Sequence, residues 1–350
     1  MERPDLSGVH PSVLAYIEYL EQKISTRQKK EREKSVETAD EFDHEITFFE
    51  APTKINVVTF STSGMVKKTP RHFYGRQHRG GMGVFDIDSP EKNQPEFLCC
   101  AEDDQTLLLF SNFGRVYRYP MSKLDESPVR GKGQNLERLP LVEGEIIIAA
   151  LPEQASGYVA LASRTGFVRC LRHHIFGEHI RPGTSMFNHA EHGALAAVCW
   201  TDGSSDILLV TKKGIGIRFS EKAVPPQGTR GIFLSPDDEL VAVSPSHQDD
   251  GIAVFTAEGK GSIRLMSGFS ANKSPGGSGK IVIRSEHVIG ATRVNSGEDV
   301  FLISRLGKII RFLSNEIPSS EGVVQGVNCM SLRSDEVVSA VISSGVNTVK

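Results

Sequence analysis

The chain has 350 residues, of which 39% are hydrophobic and 24% charged, with a formal net charge of −3. That is ample material for one large or two medium domains with a full core, in proportions ordinary for a soluble protein. No apolar run approaches the roughly 20 residues that span a bilayer, and the start, "MERPDLSGVHPS", lacks the basic and apolar regions of a secretion signal. The five cysteines (Cys99, Cys100, Cys170, Cys199 and Cys329) form no C-x-x-C pair, which predicts reduced thiols in a cytoplasmic protein rather than a disulfide framework.

Charge is unevenly spread. Residues 1–50 carry a net −5, and residues 51–350 a net +2. A near-neutral domain can still carry a basic edge, so distribution decides more than the total.

The first 50 residues read as a segment of their own. From Pro11 to about Lys34, Val13, Ile17, Leu20 and Ile24 recur at helical spacing, which predicts one short helix. The following "SVETADEFDHE" is acidic and predicted to be mobile. The helix stripe has three possible uses: a partner, another copy of the chain, or the domain that follows.

Residues 51–350 repeat one unit six times. The segments "VVTFSTSG" (57–64), "LLLFSNFG" (107–114), "VALASRTG" (159–166), "ILLVTKKG" (207–214), "IAVFTAEG" (252–259) and "VFLISRLG" (300–307) align without gaps, and their closing glycines lie 50, 52, 48, 45 and 48 residues apart. Each is an apolar run, then a hydroxyl residue (Ser61, Ser111, Ser163, Thr211, Thr256 or Ser304), two variable residues and glycine. A second short strand carrying Lys or Arg follows each glycine, which makes the pair a β-hairpin with glycine at its φ > 0 position. About 17 residues later comes another turn: Arg79-Gly80, Arg130-Gly131, Arg181-Pro182-Gly183, Arg230-Gly231, Gly276-Gly277 and, more loosely, Gly322 to Gly326. An apolar strand closes each unit, as in "EIIIAAL" (145–151), "ELVAVS" (239–244) and "EVVSAVI" (336–342). Four short strands in 45–50 residues, six times over, predict a six-bladed all-β propeller of four-stranded blades. The single tryptophan, Trp200, is followed by Thr201, which excludes WD40 blades, and double glycines occur in only two units, which excludes kelch blades.

This repeat resembles that of the DNA gyrase A C-terminal domain, over about residues 46–345. Within the first unit, Gln77-His78-Arg79-Gly80-Gly81-Met82-Gly83 matches five of the seven positions of that family's Q-R-R-G-G-K-G motif, the gyrase box. "GRVYRYPMSKLDESPVRGKG" (114–133) resembles its second repeat. The resemblance implies a β-pinwheel in which a strand from one repeat completes a neighbouring blade, with double-stranded DNA wrapped around a basic outer rim. It also implies that the box helps to close the ring and bend the DNA. His78 and Met82 replace two of the box's three cations, leaving Arg79. No segment resembles the family's cleavage core with its Arg-Tyr nucleophile, so the chain is expected not to be an enzyme by itself. A topoisomerase core or other gyrase chains in trans are the protein partners that the resemblance implies.

The DNA-contact candidates are cations that recur with the repeat. Lys67, Arg118, Arg169, Arg218, Arg264 and Arg311 stand once per blade on the second strand. Arg79, Arg130, Arg181 and Arg230 stand at the turns, with Lys68, Arg71, Arg76, Lys132, Lys212, Lys213 and Lys222 nearby. A circle of such charges suits a bent phosphate backbone, and it equally suits strand edges protected from aggregation. No base-reading element is visible, so binding is expected to be independent of sequence. The rival reading is a protein-interaction propeller that has lost DNA wrapping; the degenerate box favours it. Gly80, Gly81 and Gly83 serve loop geometry, since no Gly-Lys-Ser/Thr follows to make a nucleotide cradle. "HHIFGEH" (173–179), with His189 and His192, lacks zinc-ligand spacing. No cofactor and no metal are expected.

Overall fold

The computed structural model describes residues 50–88, 92–136 and 139–343; the predicted N-terminal helix lies outside them. The repeat builds each hairpin through one local device. The residue at the end of the apolar run accepts a backbone bond from the glycine three positions on, at 2.9–3.1 Å in all six units. In five units its hydroxyl also accepts the amide four positions on, as Ser61 Oγ does from Met65 and Ser304 Oγ does from Lys308, both at 3.1 Å. The glycines take φ of +70° to +85°, where a Cβ is disfavoured. Serine, threonine and glycine recur at this spacing because the turn needs an acceptor at one place and a left-handed residue at another.

Six sheets result. In blade I the strands run, from the inside out, Pro95–Glu102, Ile55–Ser61, Met65–Pro70 and Gln134–Asn135. The apolar run is thus second from the centre, covered on both faces, and the closing strand of the unit is innermost. In every blade an extra residue bulges the innermost strand opposite the hydroxyl residue, which raises local twist.

The outermost strand of each blade comes from the next unit. Gln134–Asn135, Thr184–Ser185, Thr229–Arg230 and Lys280–Ile281 complete blades I to IV. Blade V receives Val327–Asn328 and, in parallel, Ser319–Ser320, both from the loose sixth unit. Blade VI receives Val84–Phe85 from the first unit. The strand exchange therefore runs full circle. The innermost strands meet in the same cyclic order around a channel of about 690 Å³ lined largely by small side chains such as Ala149, Ala197, Ala242 and Ala340.

Each pair of neighbouring blades shares one apolar cluster. Five of these hold ten to twelve buried side chains; the sixth, between blades VI and I, holds six: Val57, Tyr74, Leu98, Phe301, Ile303 and Ile309. A single 3-10 turn, which the sequence pattern does not predict, follows the second strand of every unit, as at Arg71–Phe73 and Ser314–Glu316. A further helical turn, His189–His192, is capped by Asn188. His189 stacks on Phe113 and His192 on Phe167, with ring centroids 4.3 and 3.8 Å apart. Among the described residues no cluster of His, Cys, Asp or Glu is arranged to hold a metal.

The glycines differ in what surrounds them, which gives a test. A Cβ at Gly64 would meet nothing within 4 Å, whereas one at Gly214 would lie 2.3 Å from the Ile283 carbonyl oxygen. Gly64→Ala should cost only the left-handed backbone term, about 1–2 kcal/mol. Gly214→Ala should cost clearly more, measured as the difference between urea midpoints at constant m.

Candidate nucleic-acid interface

The cations that recur once per blade do not face outward. Their strand position points between blades, where all but Arg264 are drawn into a joint. Arg218 is 3% exposed; it pairs with Asp206 at 2.8 Å and donates to the Met266 and Phe269 carbonyls of the next blade. Arg118 pairs with Glu153 and reaches the Phe176 carbonyl. Arg169 reaches the Pro226 and Met186 carbonyls. Arg311, 1% exposed, pairs with Asp299 at 2.7 Å and donates to the Arg71 and Tyr74 carbonyls. The recurrent acceptor is the 3-10 turn of the following unit or the chain next to it. These cations rivet blade to blade, and the expected outward circle of second-strand charges is corrected accordingly.

Arg264 departs from that scheme. Gly251 occupies the strand-start position that Asp206 and Asp299 hold elsewhere. The buried Arg264 guanidinium bonds the Gly268 carbonyl of its own blade, and its Nε and Nη1 have no hydrogen-bond partner among the described residues. Burial lowers its pKa.

The joint between blades VI and I is the most polar. Asp86, fully buried, accepts from Lys67 Nζ at 2.6 Å, Tyr74 Oη at 2.6 Å and Thr59 Oγ1 at 3.0 Å. Burial lowers the Lys67 pKa and Asp86 partly restores it; burial and then Asp86 push Tyr74 well up, so the phenol stays a donor. Asp299, also fully buried, receives both Arg311 and a two-pronged contact from Arg76 at 2.7 and 3.1 Å. Burial pushes this carboxyl up, but the two guanidinium groups outweigh it and hold Asp299 below the usual range. Glu50, bonded to Arg71 and Arg311, is lowered in the same way. Of the other predicted contacts, Arg71 is fully buried and Lys68 lies buried against Asp103 at 3.1 Å.

The box-like loop is the clasp of this joint. Gln77 N donates to the Arg311 carbonyl, Gly80 N to Cys329, and Ser331 N to Gly81, at 2.7–2.9 Å. Gly83, at φ +68°, brings its Cα so close to Ile309 that a Cβ would sit 2.6 Å from the carbonyl oxygen. The chain then enters blade VI as Val84–Phe85. Arg79 is exposed, with Nη1 on the Asn328 carbonyl, and His78 faces Glu316 at 3.2 Å.

What remains on the surface is the turn series. Arg79, Arg130, Arg181 and Arg230 are all exposed, and they flank or form the outermost strands of blades VI, I, II and III, four consecutive blades. Lys132 and Lys222 are exposed, Lys213 is half-buried, and Lys212 is paired with Glu239 at 3.3 Å. Sequence reasoning missed the carboxylates Asp86, Asp206 and Asp299. For two of them a signal existed, since Asp206 and Asp299 open the apolar runs "DILLVT" and "DVFLIS" at one repeat position. It also missed Phe85 and Phe233, which are exposed beside these arginines.

A strand-exchanged, six-bladed β-propeller with a glycine-rich closing clasp is the class that this geometry defines. A family model described as "DNA gyrase C-terminal domain, beta-propeller" matches residues 56–92, 105–152, 205–247 and 298–344, together half of the chain. The chain belongs to that family. DNA gyrase A of Staphylococcus aureus strain MRSA252 is 28% identical over 306 residues, covering 83% of this chain and 34% of the relative; that of strain NCTC 8325 matches equally. The chain thus spans about a third of the length of these relatives. Among solved structures, a DNA gyrase A C-terminal domain superposes with a TM-score of 0.71 at 20% identity, covering 82% of this chain and 99% of that one. The C-terminal domain of a DNA topoisomerase IV gives 0.60, also at 20% identity, over 84% and 94%.

The closing joint is testable. Asp299→Ala removes the carboxylate shared by the buried Arg311 and the part-exposed Arg76 and should cost about 3–5 kcal/mol. Asp299 and Glu50 have lowered pKa values, so their stabilisation is complete above the ordinary carboxylate range, about pH 4, and is lost as pH falls through their folded values. Urea midpoints across acid pH should drop steeply for the parent and much less for Asp299→Asn.

Proposed function

We propose that this domain binds duplex DNA along the outer edge of blades VI, I, II and III and bends it, without sequence preference and without catalysis of its own. The observation that carries the reading is the set of four exposed arginines at equivalent turns of four consecutive outer strands. Repeated at one place per blade, they make a curved row of donors that phosphates can follow. Family membership supports the same reading. Arg130 and Arg230 lie against Phe85 and Phe233, with 5.9 and 5.5 Å from guanidinium to ring centroid, so part of their side-chain freedom is already restricted. In this reading the partner is a topoisomerase core that uses the bent DNA, and the protein works in the cytoplasm.

A second reading has one observation in its favour. Leu141, Val142 and Ile146 are exposed beside a cavity of about 380 Å³ between blades I and II, lined also by Phe60, Leu136 and Leu139. An apolar cluster of this kind suits a protein contact.

The deciding experiment is a salt titration of DNA binding. For about 4–6 neutralised phosphates, log K against log salt should fall with a slope of roughly −4 to −5. Arg130→Ala with Arg230→Ala should shallow it by about 2. A flat response, or no binding near 50 mM salt (about the low end of the usual range), transfers the assignment to the protein-interaction reading.

The clasp gives a further check. A cation introduced at His78 meets Glu316 first. Plasmid relaxed by a nicking-closing enzyme in the protein's presence should trap more linking difference with the His78→Arg, Met82→Lys pair than with the parent. Glu316→Gln should enlarge that gain. No gain in either variant removes the clasp from the DNA path.

A further inference from the structure

Two large aromatic side chains stand exposed at the ends of the arginine row. Phe85 belongs to the outermost strand of blade VI and is 42% exposed; Phe233, just after the outermost strand of blade III, is 57% exposed. Blades VI and III are three steps apart in either direction round the ring, so the two rings lie on opposite sides of it. The backbone of each is anchored. Phe85 pairs with Lys308 in the sheet, and the next residue is the buried Asp86, whose amide donates to Gly307. Phe233 N donates to the Gly277 carbonyl at 2.9 Å, and the Gly276 backbone runs alongside the ring.

Cations flank both rings. Arg130 and Lys308 lie 5.9 and 5.2 Å from the centroid of Phe85, and Arg230 lies 5.5 Å from that of Phe233. A lone exposed aromatic needs no explanation. Two of them, on anchored backbone, each beside a cation and at the end blades of a row of phosphate-binding candidates, do. The apolar cluster at Leu141 makes the contrast: there the exposed side chains group together and no cation–ring pair accompanies them.

We propose that Phe85 and Phe233 are wedges that enter the minor groove at the two ends of the bound arc and each partly unstack one base step. The proposal rests on the DNA-binding reading above. Bending stiff duplex smoothly costs of the order of 1–6 kcal/mol per 20–30 base pairs. Opening a step with an apolar wedge concentrates the bend at a kink, and the cation or cations beside each wedge take neighbouring phosphates. On a duplex that places pyrimidine–purine steps at the two ends of the arc, those steps, which unstack most easily, are the ones opened.

The test separates bending from binding in the full chain. A duplex well under the persistence length of about 150 base pairs carries a fluorescent donor and acceptor at its ends, and a matched set carries 2-aminopurine at successive positions. With the parent protein, energy transfer should rise and 2-aminopurine should brighten at two separated positions. Phe85→Ala and Phe233→Ala should each abolish one bright position and remove roughly half of the transfer gain, with the salt slope of binding unchanged. Phe85→Leu and Phe233→Leu, which keep an apolar wedge, should retain both signals. Both residues are exposed, so these variants leave the blade cores intact. Undiminished transfer in the double alanine variant, or a parent complex without 2-aminopurine brightening, overturns the wedge role while DNA binding stands. A parent that binds no DNA, read from the salt titration, overturns both. Alanine variants that lose a protein partner while bending is unchanged assign the two rings to that partner instead.

Discussion

A guanidinium buried between two sheets must be bonded at most of its donors or it costs more than it contributes. Three of the blade-to-blade joints of this propeller are built around that demand, while Arg264 leaves two donors unmatched. Arg118, Arg218 and Arg311 each take a carboxylate from their own blade and carbonyls from the next one. A carboxylate alone would neutralise the charge within the blade; the carbonyls turn the leftover donors into a register mark for the neighbour. Apolar contact between twisted sheets tolerates sliding, while a two-sided hydrogen-bonded clasp fits one position. The 3-10 turn that follows the second strand of every unit supplies those carbonyls, with the Arg71 and Met266 oxygens accepting the arginine in addition to a backbone bond of their own turn.

Ring closure is where this arrangement is most demanding. The apolar cluster between blades VI and I is the smallest of the six, and the polar network there is the densest, with Asp86, Asp299, Glu50, Lys67, Arg71, Arg76 and Arg311 all engaged. Buried ion pairs of this kind are weak sources of net stability but strict about geometry. The joint that the chain crosses through the clasp and its two-residue strand is therefore the one specified by charge. The glycine-rich stretch 77–83 belongs to this logic. Its glycines let the backbone pass close enough to Ile309 and Cys329 to bond, and its strand end delivers Phe85 to the outer edge. Closing the ring and shaping the edge are consequently one structural act.

Much of the fold was legible because the hairpin is a local object. Hydroxyl, two residues and glycine specify a turn whose acceptors and left-handed residue lie within four positions, so six copies announce six hairpins. The strand exchange came from family resemblance, since a two-residue outer strand leaves almost no pattern of its own. The fate of the recurrent cations was not legible. Alternation along a strand tells which side a side chain takes but not whether that side meets solvent or another blade. Arg218 and Arg230 look equally basic in the sequence, yet one is sealed between sheets and the other is open. The deciding partners, Asp206 and Asp299, sit 12 residues before Arg218 and Arg311, outside any local motif. Arg264 carries the same sequence signal and lacks the carboxylate altogether.

This division of labour among cations bears on how a near-neutral domain can present a basic edge. Most of the second-strand cations are consumed inside joints, each set against a buried carboxylate or carbonyls, so they add nothing to the outer field. Among the described residues, the turn arginines carry no carboxylate on their guanidinium groups; Arg79 uses one donor on a carbonyl, and Arg130 and Arg230 rest on rings. Counter-charges are buried with the structural cations, and the exposed turn arginines are concentrated on one arc of the rim. Net charge then reflects the joints as much as the surface. The surface field of blades VI to III is set by a few arginines whose positions are fixed by glycine turns, and blades IV and V, where Gly276-Gly277 and Gly322 replace arginine at the turn, close the ring without extending that arc.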